Sequence, residues 1–214
     1  VVEDGLNFVA SPYDEFAVEE ALRLKEAKGG VVRVSSVGRD EAVPVLRKCL
    51  AMGADEAVLI KDEAPESYDG LRTARIIARA VERRFTGADL LLFGKQAVGT
   101  DNGQVPSMVA ELLGLPQANV VTKLEIEGGS GTAFREVEGG TEKVVFSLPA
   151  VVSAQKGLNE PRYETLKGIM AAKKKDIPVV KLEDHGLTAA DHAPKVVVSG
   201  LAVTPQRHIG RAHH

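Results

Sequence analysis

The sequence predicts an α/β fold in which a mostly parallel, twisted sheet carries helices on both faces. Short apolar runs alternate with amphipathic segments up to about residue 115, and the connections between them are short. Several runs are apolar at every position, and a strand of that kind needs cover on both faces of its sheet. A chain of 214 residues is long enough to bury the core of one such domain.

The first half of the chain is predicted to hold four helices separated by three strands. The first helix spans residues 15–28, with Ser11-Pro12 as its start signal and Gly29-Gly30 as its end. The other elements, in chain order, are a strand at 31–35, a helix at 41–52, a strand at 57–60, a helix at 68–84, a strand at 90–93 and a helix at 104–113. Glycine follows the second and fourth helices, where it commonly ends a helix.

The second half predicts an antiparallel excursion and then a loosely organised end. Alternating segments at 120–126, 132–138 and 142–147 are separated by paired glycines that indicate hairpin turns, and an apolar strand at 150–153 returns to the sheet. The last residues are rich in Gly, Pro and His, with one strand candidate at 195–199. We therefore expect a nucleotide-binding α/β domain at 1–182 and an extended C-terminal arm at 183–214 that packs on a partner.

Composition argues against several classes of function. The net charge is −3 and aromatic residues make up only 4%, so the sequence shows neither the basic field nor the stacking platform of a nucleic-acid-binding protein. No run approaches the roughly 18 apolar residues of a membrane span, and no secretory signal is recognisable. We predict no nucleic-acid partner, no membrane insertion, and a cytosolic or organelle-matrix location.

Residues with catalytic potential do not form a recognisable set. The five histidines all lie at or after position 185, and the carboxylates are interspersed with Lys and Arg on predicted helix faces. The single cysteine, Cys49, excludes an internal disulfide and is predicted to be a buried core residue. We predict no catalytic residues and no metal site, which favours a binding protein or a protein whose chemistry is carried by a cofactor.

The most informative segment is the Gly-rich turn between the strand at 90–93 and the helix at 104–113. Ligands of open α/β sheets bind at the carboxyl ends of strands, and a helix N-terminus suits a phosphate. The glycines that allow close backbone approach are Gly94, Gly99 and Gly103, and the polar candidates for a sugar or base are Asp101, Asn102 and Gln104. The alternative is a plain strand–helix turn with a capping Asp. Neither the Walker loop nor G-x-G-x-x-G is present.

Several segments together resemble the β subunits of electron-transfer flavoproteins. Gly94-Lys95-Gln96-Ala97-Val98, followed by Asp101 and Gln104, resembles that family's adenine-nucleotide loop. The other similar stretches are Ser11–Ala21, Leu50–Asp55, Arg135–Ser153 and Leu158–Lys175. The resemblance covers roughly residues 8–182, and it implies an adenine-nucleotide α-hydrolase-like fold.

The resemblance implies two cofactors and a set of residues that bind one of them. FAD would be held mainly by a larger α subunit, and AMP would be held by this chain. The residues implied to line the AMP site are Ser11, Pro12, Tyr13, Asp14, Val37, Gly94, Lys95, Gln96, Ala97, Val98, Gly99, Thr100, Asp101, Asn102, Gly103, Gln104 and Val105. Position 11 is Ser where the family usually has Asn, which removes a possible amide contact with the nucleotide.

The resemblance also implies an electron-carrier role and its partners. Electrons would come from acyl-CoA or other flavoprotein dehydrogenases, as in fatty acid oxidation, and pass to the electron-transfer flavoprotein–quinone oxidoreductase. The location would be the bacterial cytoplasm or the mitochondrial matrix. The implied partner-recognition segment is Tyr163, Glu164, Thr165, Leu166 and Lys167, in which Leu166 is the anchor.

Two alternatives remain at this stage. A bifurcating member of the family would bind a second FAD in place of AMP, and a stand-alone adenine-nucleotide-binding regulatory module would have no flavoprotein partner. Family members open with an apolar strand and a Val-Lys-x-Val-Pro-Asp turn, and the printed sequence matches them from beyond that point. A protein lacking that strand is expected to be unstable or to fail to bind nucleotide.

Overall fold

The residues that the structure describes form five helices and eight strands, which alternate up to the fourth helix, and four consecutive strands follow that helix. A computed structural model of the chain describes residues 7–62, 69–188, 190–191, 193–200 and 202. The helices are α1 Pro12–Lys28, α2 Val43–Met52, α3 Gly70–Arg84, α4 Val105–Leu113 and α5 Leu166–Lys174. The strands are β1 Arg33–Gly38, β2 Glu56–Lys61, β3 Leu90–Gly94, β4 Gln117–Glu127, β5 Ser130–Val137, β6 Gly140–Ser147, β7 Ala150–Ala154 and β8 Val179–Lys181.

The strands form two open sheets. The first is a fully parallel sheet in the order β1-β2-β8. The second has the order β3-β7-β4-β5-β6, in which β3, β7 and β4 are parallel and the β4-β5-β6 pairs are antiparallel. The predicted α/β class and the antiparallel excursion with its glycine turns are confirmed.

The parallel sheet has helices on both faces, as the apolar pattern of β2 predicts. Ala57 and Leu59 point into a cluster with α1, α2 and α5, whereas Val58 and Ile60 pack against α3 on the other side. Cys49 lies in α2 and is buried, and this burial raises the pKa of its thiol to about 11. The cysteine is therefore a packing residue, as predicted.

The edge strands are less covered than their sequences suggest. All five residues of β7 are buried, because β7 lies between β3 and β4. In contrast, the four apolar residues of β3 are only half-buried, since β3 is an edge of its sheet. An apolar run predicts a strand, but it does not distinguish a central strand from an edge.

Two sequence predictions differ clearly from the structure, and one strand was not predicted. The helix predicted at 68–84 begins at Gly70, because the carboxylate of Asp69 caps it, and Tyr68 lies outside the described residues. The strand predicted at 195–199 is wrong: Val196–Val198 are exposed, and that segment is held by the Asp69 carboxylate rather than by a neighbouring strand. The strand β8 was not predicted, since three residues are too few to show a period.

Part of the predicted C-terminal arm packs on the α/β domain. Leu187 of the arm joins Leu182 of the domain in the core cluster around α3, and His185 between them is only 4% exposed. The guanidinium of Arg79 on α3 donates to the carbonyl of His185 over 3.1 Å. The histidines at 192, 208, 213 and 214 lie outside the described residues. The domain boundary at residue 182 stays a prediction.

The packing of His185 predicts that the arm loosens in acid. Burial, with a smaller effect from the Arg84 guanidinium, lowers the pKa of His185 below 6.5, while Asp184 acts in the opposite direction. Its Nε2 atom is buried and has no hydrogen-bond partner among the described residues. The unfolded arm therefore binds the proton more tightly, so the stability that neutral His185 contributes is present above about pH 6.5 and is lost as the pH falls through the lowered pKa.

Hydrogen exchange of residues 182–188 checks this prediction. After correction for the intrinsic rate, we expect less protection at about pH 5.5 than at about pH 8. His185→Gln should show a smaller pH dependence, because glutamine does not titrate. Equal protection of the wild-type segment at both pH values would contradict the prediction.

Candidate functional site

The Gly-rich turn starts where β3 runs against the N-terminus of α1. The backbone N–H of Gly94 donates to the carboxylate of Asp14 over 2.9 Å. A Cβ atom at position 94 would lie 2.6 Å from that carboxylate oxygen, 2.7 Å from the backbone N of Asp14 and 2.7 Å from the carbonyl carbon of Tyr13. Only glycine allows the strand end and the helix start to approach this closely.

Further contacts join the start of α1 to the turn. Ser11 is the N-cap of α1: its hydroxyl oxygen accepts from the N–H of Tyr13 over 3.3 Å, and the hydroxyl donates to the carbonyl of Gln96 over 3.4 Å. The ammonium of Lys95 lies 4.6 Å from the centre of the Tyr13 ring. The structure thus brings together two segments that are about 80 residues apart in the sequence, as the resemblance implies.

Asp14 presents its carboxylate to solvent at the start of α1. Its side chain is accessible to solvent, yet protein atoms surround it on most sides. This desolvation raises the pKa of Asp14, and the hydrogen bond from Gly94 only partly opposes it. A carboxyl group in such a position can accept from, or when protonated donate to, a polar group of a ligand.

Residues 97–104 form an exposed loop whose backbone turns repeatedly through left-handed conformations. The φ angles of Gly99, Asp101 and Gly103 are +99°, +47° and +60°. The N–H of Asp101 donates to the carbonyl of Ala97 over 3.0 Å, and the Asp101 carboxylate accepts from the Gln96 amide over 2.7 Å. Asp101 therefore orders the loop and does not cap α4. This disagrees with the alternative interpretation of the segment as a plain strand–helix turn with a capping Asp.

The helix after this loop begins without a side-chain cap. α4 starts at Val105 with Gln104 at its N-cap position, and no side chain of the described residues bonds to that end. A helix N-terminus of this kind can bind an anion through backbone N–H groups and the positive end of the helix dipole. The predicted site residues Ala97, Val98, Thr100, Asn102 and Val105 lie on this loop or at this helix start.

The N-terminus of α3 forms a second wall of the loop. Gly70 approaches the loop closely, since a Cβ there would lie 3.5 Å from the Asn102 amide nitrogen and 3.7 Å from Gln104 Oε1. α3 is joined to the end of β2 by Arg72, whose guanidinium forms a buried ion pair with Asp62. The N–H of Asp62 in turn donates to the carbonyl of Gly38 at the end of β1 over 3.0 Å.

Sequence reasoning missed this part of the site. Asp62 directly follows β2, and an acid at the end of a parallel strand was a signal that could have found it. Asp69, as a residue just ahead of an amphipathic helix, was recognisable as an N-cap. Val37 lies on β1 and packs against the α3 cluster with Val81 and Val180. Its role in nucleotide binding stays a prediction.

The predicted partner-recognition segment is an exposed loop that leads into α5. Tyr163 and Leu166 are 92% and 78% exposed, and Met170 one turn later is half exposed. Thr165 is the N-cap of α5, where its hydroxyl accepts from the N–H of Gly168 over 3.0 Å. The side chain of Lys167 is exposed, whereas Glu164 is half-buried. An ordered loop that presents apolar side chains to water suits a docking surface.

Two clefts among the described residues lie away from the nucleotide loop. One, of about 220 Å³, lies at the amino end of β3 and is lined mainly by apolar residues that include Phe85, Leu91 and Leu113. The other, of about 280 Å³, lies beside Asp55 and Lys175. Among the described residues, no group of three or more His, Cys, Asp or Glu side chains is placed to hold a metal ion. None of the described helices is long and apolar enough to cross a membrane.

Comparisons with known proteins agree with the sequence resemblance. The family model of the electron transfer flavoprotein domain matches residues 1–185. The chain is 41% identical to the electron transfer flavoprotein subunit beta of Bacillus subtilis (strain 168) over 99% of this chain and 82% of the relative. It is 42% identical to the mouse (Mus musculus) subunit of that name, over 98% of this chain and 82% of the relative. On these matches, the chain belongs to the β subunits of the electron-transfer flavoprotein family.

Proposed function

We propose that this chain binds AMP at the loop 94–105 and pairs with an α subunit that holds most of the FAD. The observation that carries the nucleotide site is the contact between the start of α1 and Gly94. This contact brings the solvent-accessible carboxylate of Asp14 to the carboxyl end of β3. A loop with three left-handed residues and the uncapped N-terminus of α4 follow directly after that strand end. Backbone N–H groups of the loop and the start of α4 would face phosphate, and Asn102 and Gln104 would face the sugar or base.

In this proposal the heterodimer is an electron carrier. It accepts electrons from acyl-CoA or other flavoprotein dehydrogenases and passes them to a quinone reductase, in the bacterial cytoplasm or the mitochondrial matrix. The flavin supplies the redox chemistry, and the residues of this chain bind, orient and dock. The exposed pair Tyr163 and Leu166 supports a docking role, because a few apolar anchors supply most of the binding energy of an interface.

Reduction of the reconstituted heterodimer tests this function. The chain is co-expressed with an α subunit, and the purified complex is mixed anaerobically with a medium-chain acyl-CoA dehydrogenase and its acyl-CoA substrate. We expect the absorbance of the oxidised flavin to fall at a rate that saturates with heterodimer concentration. A heterodimer that binds flavin but is not reduced by any flavoprotein dehydrogenase tested would refute the carrier role.

A further inference from the structure

The loop that carries Tyr163 is fixed to α1 by one arginine. The Nε and Nη2 atoms of Arg162 donate to the carboxylate of Glu19 over 2.8 and 3.0 Å, and its backbone N–H donates to the same carboxylate over 3.1 Å. Its Nη1 and Nη2 atoms also reach Glu26, over 2.5 and 3.1 Å. Glu19 and Glu26 are two helical turns apart on one face of α1. The guanidinium therefore joins two carboxylates and the loop backbone at a single point.

A second attachment lies three residues earlier in the loop. The side-chain amide of Asn159 donates to the carbonyl of Phe16 over 3.0 Å and to the carboxylate of Glu20 over 2.9 Å. Leu158 beside it is buried in the core cluster of the five-stranded sheet. The loop is thus held at Asn159 and at Arg162, and Tyr163 is the first side chain beyond the second attachment.

The chemistry of these contacts requires arginine. Glu19 and Glu20 are buried carboxylates, and a buried charge needs a partner to be tolerated. The hydrogen bonds to Glu19 and then Glu26 raise the pKa of Arg162, and the hydrogen bond from Arg162 lowers the pKa of Glu26. A planar guanidinium can bind two carboxylates at once, whereas the point charge of a lysine cannot reproduce both pairs.

We propose that Arg162 is a positioning residue for the docking of a flavoprotein dehydrogenase, because it fixes Tyr163 and Leu166 in one arrangement before the partner arrives. This inference rests on the proposed function and names a residue on which that function depends. A loop that is ordered in the free protein loses less conformational entropy on binding. The exposed Lys167, Lys173 and Lys174 lie on the helix that begins with Leu166, which fits a partner with acidic residues beside an apolar pocket.

The same helix also carries the nucleotide site. Ser11, Tyr13 and Asp14 at the N-terminus of α1 contact the turn at Gly94–Gln96, and Glu19 is only five residues further along. The nucleotide loop and the docking loop are therefore attached to one rigid element.

Steady-state reduction of the heterodimer by a medium-chain acyl-CoA dehydrogenase tests the role of Arg162. In the variant Arg162→Gln, we expect the KM for the heterodimer to rise about tenfold with an unchanged kcat, because docking is weakened and the flavin is untouched. Arg162→Lys should give an intermediate KM, since it keeps the charge and loses the second pair. Flavin and nucleotide content should equal those of the wild type.

Matched variants separate docking from folding. Arg162→Gln leaves Glu19 buried without its partner, so the double variant Arg162→Gln/Glu19→Gln removes both charges and should keep the raised KM at a more normal thermal stability. The control variant Arg33→Gln breaks the exposed ion pair between Arg33 and Glu56, which lie roughly 100 or more residues from Arg162 in the sequence. This variant should leave the KM unchanged.

Two results would overturn the inference, and they differ. If the wild-type heterodimer is reduced and both Arg162 variants keep its KM, only the positioning role fails. If the dehydrogenase does not reduce the wild type, the proposed function fails and the inference fails with it.

Discussion

Gly94→Ala is expected to abolish nucleotide binding and to lower the free energy of unfolding by about 1–3 kcal/mol. The added methyl group would meet the backbone of Tyr13 and Asp14 at 2.7 Å, and backbone cannot rotate away as a flexible side chain can. The end of β3 and the start of α1 must then separate, which breaks the Gly94–Asp14 hydrogen bond and moves the turn that follows. Calorimetric titration with AMP and urea unfolding measure the two effects.

Gly140→Ala is the matched control for this substitution. A Cβ at position 140 would meet no atom within 4 Å, and this glycine lies at the start of β6 with no left-handed φ. We expect unchanged AMP affinity and little change in stability. If Gly94→Ala bound AMP as tightly as Gly140→Ala, the close approach of β3 and α1 would not define the site.

Asp62→Ala is expected to cost about 3–5 kcal/mol of stability, the largest effect predicted for a single charged residue. Asp62 and Arg72 have side chains only 3% and 5% exposed, so the variant removes a carboxylate that pairs with a buried guanidinium. The pair also joins the end of β2 to the start of α3, whose Gly70 lies against Asn102 and Gln104. We therefore expect weaker AMP binding as well, and urea unfolding with AMP titration measures both.

Asp40→Ala is the control for the buried pair. Asp40 pairs with Lys61, the residue just before Asp62, but the side chain of Asp40 is 64% exposed. Surface ion pairs contribute about 0–1 kcal/mol, so this variant should unfold close to the wild type. A similar loss of stability in both variants would show that burial does not set the strength of the Asp62–Arg72 pair.

The local elements were predictable because single segments carry their own signals. The apolar runs around β2 and β7, the glycine pairs of the β4–β6 hairpins and the Ser11-Pro12 helix start all act over a few residues. The division into two sheets was not predictable, since the order of strands depends on pairing between distant segments. Strand β8 was missed because it is very short. The cap that Asp69 forms at α3 was recognisable from its position, but its contacts with the distant residues Lys195 and Val196 were not.

The candidate site was predictable in its composition but not in its geometry. Gly94, Asp101 and Gln104 were identified from the turn alone, and the resemblance added Ser11–Asp14. What the sequence could not show is that Asp101 binds Gln96 rather than capping α4, or that Arg72 and Asp62 link β2 to the loop. These contacts depend on side-chain directions that only the folded chain determines.

The adenine nucleotides released from the purified αβ heterodimer test directly whether this chain binds AMP. The complex is denatured, and the released nucleotides are identified by mass spectrometry and counted against protein. We expect one FAD and one AMP per heterodimer, with AMP absent and FAD retained in the Gly94→Ala complex. Two FAD per heterodimer would support the bifurcating alternative, and a wild-type complex with one FAD and no second nucleotide would contradict the proposed site.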